Sequence, residues 1–172
     1  LDDQFAWPGG KRQTWEREVR QILSDEAIQE AAFQIFDYNR AMEDFAVTRV
    51  TVWRDGKETD LLGEVSLSTA PAEWGAETSR SMTVVMDIPG LRIGDILDIA
   101  VLRSALGQPA GLDRTATVIM EYQDPVFMRR AVVNWPEGWE RHVKPLPDRV
   151  TLAEGPLPDG GTRLEYQLFD NV

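Results

Sequence analysis

Along most of the chain, apolar and polar residues alternate with a period of two, the pattern of strands with one buried face. The clearest stretch is "DFAVTRVTVWRDGKETDLL", residues 44–62, where a run rich in Val and Thr meets Asp55-Gly56 and a short second run follows. Asp-Gly between two such runs predicts a hairpin, because both central turn residues need positive φ. Further strands are predicted within 14–23, 31–38, 81–88, 94–104, 116–124 and 129–135, and a last hairpin within 149–170 around Pro158-Asp159-Gly160-Gly161. The segment 20–36 is ambiguous, since Ile22, Ile28, Ala32 and Phe36 also fit one face of a helix. Two strands joined at Ser24-Asp25-Glu26 are favoured there, because Ala27 stands where a capping box needs an acid. Residues 64–81 read as a loop of small residues with room for one helical turn. The expected fold is therefore all-β, an antiparallel β-sandwich of about eight or nine strands with little helix. Its core should draw on Phe33, Ile35, Val50, Val52, Val84, Ile99, Val118, Val133 and Leu164.

The stretch "PGLRIGDILDIAVL", residues 89–102, turns at Gly94-Asp95 and then runs apolar. Gly supplies a backbone conformation that residues with a Cβ resist. Asp95 is expected to bond the backbone two residues on and fix the corner. Leu97, Ile99 and Val101 should then enter the core while Ile96, Asp98 and Ala100 face the other way. A strand corner accounts for Gly-Asp without a ligand.

Composition narrows the functions. At 172 residues, with 42% apolar and 27% charged, the chain suits one globular domain, 1–172. It has no cysteine, so disulfides, a thiolate nucleophile and thiolate metal sites are excluded. A net charge of −11 argues against nucleic acid and anionic lipid as partners. No apolar run reaches the roughly 18 residues of a membrane-spanning helix. The opening "LDDQF" reads as the interior of a longer protein.

Candidate chemistry is sparse. His142 is the single histidine and lies between Arg141 and Lys144 in "WERHVKPLP", with no nucleophile elbow before it, so it reads as a surface or loop residue. One histidine without cysteine does not supply a zinc site. Asp95 and Asp98, and likewise Glu121 and Asp124, are three apart and point to opposite faces of a strand, so neither pair forms a dyad. Residues 54–60 lack the ligand ladder of a calcium loop, and Gly9-Gly10-Lys11 lacks the helix of a phosphate loop. No cofactor or metal is expected. The six tryptophans are the remaining feature. Trp135 and Trp139 flank "PEG" in "NWPEGWE", and Trp74 sits among small residues. Exposed, these three would make a binding platform for a glycan or peptide; folded inward, they would seal the end of the sandwich.

Four segments carry a family resemblance. "LDDQF", "FDYNRAMEDFAVTRVTVWRDGK" (36–57), "MDIPGLRIGDILDIAV" (86–101) and "YQDPVFMRRAVVNWPEG" (122–138) resemble the strands and turns of the family known as domain of unknown function 3857. That family is an all-β domain in front of a transglutaminase-like domain in exported bacterial proteins. The resemblance implies a non-enzymatic accessory domain that positions or presents substrate to the domain that follows, in the periplasm or at the cell surface. It implies no catalytic residues. Two other classes compete: a stand-alone carbohydrate- or peptide-binding sandwich with Trp74, Trp135 and Trp139 as its platform, and a hydrolase with a carboxylate pair drawn from distant strands.

Overall fold

The computed structural model describes residues 1–71, 80–107, 116–118, 120 and 126–169. Strands hold 56% of them and helix 7%, so the class is all-β. Eleven strands are present among these residues: β1 (Asp2–Ala6), β2 (Gln13–Gln21), β3 (Phe33–Asn39), β4 (Glu43–Arg54), β5 (Lys57–Asp60), β6 (Ser66–Pro71), β7 (Ser81–Asp87), β8 (Ile96–Ala105), β9 (Met128–Trp135), β10 (Thr151–Pro156) and β11 (Thr162–Phe169). One helix, α1 (Asp25–Ala32), separates β2 from β3. Hydrogen bonding orders eight strands as β10-β11-β9-β1-β2-β8-β4-β5 and three as β3-β7-β6. The chain divides into two compact units, 1–16 with 107–172, and 17–106.

In the unit of residues 17–106, the two sheets face each other over a core of Ile22, Ala31, Val50, Val52, Met86, Ile88, Leu91, Leu97, Ile99 and Val101. Strand β8 behaves as its alternation predicts. Leu97, Ile99 and Val101 are buried in that core, and Ile96 is exposed on the other face. The β4–β5 hairpin turns at Asp55 and Gly56 with φ of 53° and 75°, the two positive values that such a turn requires. In the unit of residues 1–16 and 107–172, β9, β11 and β1 supply Phe5, Ala131, Val133, Leu164, Tyr166 and Leu168 to a separate core, joined by Trp7 and Val150.

Four expectations are corrected. Residues 25–32 form a helix, not a turn between strands. Ser24 Oγ accepts from the Ala27 amide, and Asp25 and Glu26 place negative charge in the first turn. The cap works without the reciprocal acid of a capping box, and Ala27, Ile28, Ala31 and Ala32 give the helix its apolar face. Next, β3 has the opposite phase: Phe33 and Ile35 are 58% and 66% exposed, while Phe36 packs against the core. Gln34 occupies the inward phase because its amide donates to the carbonyls of Glu30 and Ala31, closing the end of α1. Phe36 and Tyr38 then lie against Phe45 at ring separations of 5.2 and 5.6 Å. Third, residues 66–71 are strand rather than loop, paired antiparallel to β7 from Ser66↔Asp87 to Pro71↔Met82. Fourth, the sheets are not purely antiparallel, because β1 runs parallel to β9. Val118 sits at the margin of its core rather than inside it. Of the expected strand 116–124, residues 116–118 and 120 are not in a strand, and the remainder lies outside the described residues.

Candidate functional site

The Gly94-Asp95 corner is a crossing point of charge as well as of backbone. Gly94 has φ of 93°, and its amide donates to the Ile22 carbonyl at 2.8 Å. The Ile22 amide returns a bond to the Asp95 carbonyl at 2.8 Å, so the end of β2 is clamped to the start of β8. The Asp95 side chain is buried, at 1% exposure. It does not bond two residues ahead, as its Asp-turn chemistry predicts. Its carboxylate instead accepts from Arg54 Nε and Nη2, both at 2.7 Å, and from the Arg92 amide at 2.8 Å. A buried carboxylate needs such partners, and a bidentate guanidinium is the strongest available. The Arg54 bond holds the Asp95 carboxyl below the usual aspartate range, against the opposing effect of burial. Arg54 Nη2 also donates to the Gly90 carbonyl at 2.8 Å. One guanidinium thus ties the end of β4 to the turn that precedes β8.

An open cleft of about 600 Å³ lies where these two segments meet. It is lined by Val52, Arg54, Asp55, Lys57, Thr59, Leu61, Glu64, Pro89, Gly90 and Arg92, all within the unit of residues 17–106. The hairpin register pairs Val52 with Thr59 and Arg54 with Lys57, which puts these four side chains on one face. The turn around Pro89 and Gly90 forms the opposing wall. Pockets for small ligands span roughly 300–1,000 Å³, so the size suits one.

Asp98 lies on the other face of β8 and is 2% exposed. Arg17 Nε and Nη2 reach its two oxygens at 2.8 Å each, and Arg49 Nε reaches Oδ2 at 2.7 Å. Burial is the largest single influence on its carboxyl and pushes the pKa up. The bonds from the two arginines together outweigh it and hold the group below the usual range. Asp95 and Asp98 therefore each serve their own arginines, in keeping with the reading that they form no dyad. Glu121 and Asp124 lie outside the described residues.

His142 is 83% exposed, with Nε2 3.1 Å from Glu140 Oε1. Trp135 and Trp139 do not form a flat exposed platform. They gather around buried Trp7 with ring separations of 5.2 Å for Trp7–Trp135, 5.8 Å for Trp7–Trp139 and 6.0 Å for Trp135–Trp139. The Trp135–Trp139 pair meets edge to face at 87°, and Trp135 Nε1 donates to the Trp139 carbonyl at 3.3 Å. Trp135 and Trp139 are both partly buried and pack against the core that Trp7 joins. Trp74 lies outside the described residues. Sequence reasoning missed Arg54, Lys57 and Arg92 as one group. The signals were the Arg-Asp-Gly-Lys hairpin and the Arg between Pro89-Gly90 and Gly94-Asp95, but nothing in the spacing says that the two turns meet.

Residues 9–168 match the domain of unknown function DUF3857, a family with a solved structure. The chain belongs to that family. This DUF3857 domain is also similar in fold to the crystal structure of a "putative protease" from Parabacteroides distasonis ATCC 8503, with a TM-score of 0.72 and 13% identity. The similarity covers 98% of this chain and 34% of that one, so the domain spans about a third of that protein's length. No curated protein matches it in sequence.

Proposed function

We propose that this DUF3857 domain is a non-catalytic accessory module that positions or presents a polypeptide substrate to a transglutaminase-like domain following it in a longer, exported bacterial protein. Its place would be the periplasm or the cell surface. The observation that carries this reading is the fate of the acids. The buried aspartates Asp95 and Asp98 are both saturated by arginines and held ionised, so neither is poised to exchange a proton near neutral pH. The single histidine stands in solvent beside Glu140, and the chain has no cysteine. Among the described residues, what remains is scaffold and a cleft. A domain of this fold occupying about a third of a longer chain named as a putative protease fits the same division of labour.

The test compares the parent protein with a form lacking residues 1–172. Deletion should raise KM for a polypeptide substrate several-fold and leave kcat for a small ester unchanged. An unchanged KM, or a kcat that collapses with the small ester as well, contradicts the presenting role.

A further inference from the structure

We propose that the cleft between the β4–β5 hairpin and the Pro89–Gly90 turn is a binding site for a peptide carboxylate flanked by an aliphatic side chain. The site deepens the presenting role proposed above and rests on it only for its purpose. Three observations converge on it.

The first is a fixed cation. Two nitrogens of Arg54 are engaged by Asp95 and Gly90, while Nη1 has no hydrogen bond among the described residues, on a side chain that lines the cleft. A guanidinium held at Nε and Nη2 can still donate through Nη1 without losing further rotamer freedom. The second is a pair of exposed cations beside it, one of which, Arg92, also helps to hold Asp95 ionised. Neither Lys57 nor Arg92 makes a side-chain hydrogen bond or ion pair among the described residues, although the chain as a whole carries −11. The third is the apolar lining of Val52, Leu61 and Pro89 beside these charges, which suits an aliphatic group next to the anion.

The charge balance disfavours a highly charged ligand. With Arg54 neutralised by Asp95, Lys57 and Arg92 face Asp55 and Glu64 in equal number. Such a site does not favour a dianion such as phosphate. A peptide offers one carboxylate for the cations, N–H groups for the two rim acids and a side chain for the apolar lining. A C-terminal carboxylate and an Asp or Glu side chain share this chemistry.

Binding is measured on the isolated chain by amide NMR, with three acetylated probes: Ala-Ala-Leu as the free acid, the same peptide as its C-terminal amide, and Ala-Asp-Leu as its amide. The free acid should shift the amides of Lys57, Thr59, Leu61, Gly90 and Arg92 and saturate. Saturation by the Asp-containing amide as well identifies any peptide carboxylate as the ligand; saturation by the free acid alone identifies the C-terminus. The double variant Lys57→Ser/Arg92→Ser should weaken binding at least about tenfold, or 1.4 kcal/mol, without moving the melting temperature, since both side chains are exposed. Equal binding of the uncharged amide, displacement by inorganic phosphate at equal concentration, or no shifts at these residues at several millimolar would each overturn the site. Those outcomes are read on this chain alone, whereas the presenting role is read on the parent protein, so one can fail while the other stands.

Discussion

Asp98 shows how much of a residue's role follows from its position in a strand and how much needs the fold. Alternation along β8 places it opposite Leu97 and Ile99, as observed. Its partners Arg17 and Arg49 lie 81 and 49 residues away in sequence, on strands whose register no local pattern encodes. Asp95 differs again: the corner is legible from Gly94, but the Arg54 bond is not. Replacing Asp98 with Asn removes the charge and one of the two acceptor oxygens shared by two guanidiniums and should cost about 1–3 kcal/mol at neutral pH in a denaturant titration. Acid should act on the same groups. Glu165 is held at about 2, first by its bond from Arg130 and then by Gln167 and Arg163, and Asp95 and Asp98 are also depressed. A carboxylate whose folded pKa lies below its unfolded value stabilises the fold above the unfolded value. That contribution is lost as pH falls through the folded one. Melting temperature should therefore hold from neutral pH down to the ordinary carboxylate range and fall below it, toward about pH 2 for Glu165. Asp98→Asn should flatten that fall. A melting temperature that does not drop in acid contradicts the assignment of these pairs.

Among the elements, strands with one apolar phase are legible and those with two are not. The β4–β5 hairpin follows from Asp55-Gly56, and β8 from its alternation. In "FQIFDY" both phases carry apolar groups, and the choice between them is made by Gln34 at the end of α1, a contact between neighbouring elements. The helix itself is signalled by Ser24-Asp25-Glu26 and the spacing of Ala27, Ile28, Ala31 and Ala32, once a full capping box is not demanded. Ser24→Ala should cost about 1 kcal/mol by removing the cap. The β3 phase has its own test in a pair of variants. Leu97→Ala should cost about 2–5 kcal/mol because Leu97 is fully buried. Ile35→Ala should change stability by no more than about 0.5 kcal/mol because that side chain faces solvent. Equal costs in thermal melts would restore the inward phase of Ile35.

At the scale of the whole molecule, the parallel pairing of β1 with β9 joins residues 128 apart in the chain, Asp2 with Arg130 and Phe5 with Val133. No local signal announces a pairing of that sequence separation, which is why composition and turns give the class but not the strand order. The tryptophans show the same limit: their spacing places Trp135 and Trp139 at a strand end, and only the fold brings Trp7 between them. The central claim is that this DUF3857 domain works by binding and not by turnover. Its most direct test is the rate of peptide hydrolysis, ester hydrolysis and acyl transfer by the purified chain, followed from about pH 4 to pH 9. The account predicts rates equal to the uncatalysed background throughout, in the native chain and in His142→Ala alike. A bell-shaped profile that His142→Ala or Asp98→Asn abolishes would contradict it.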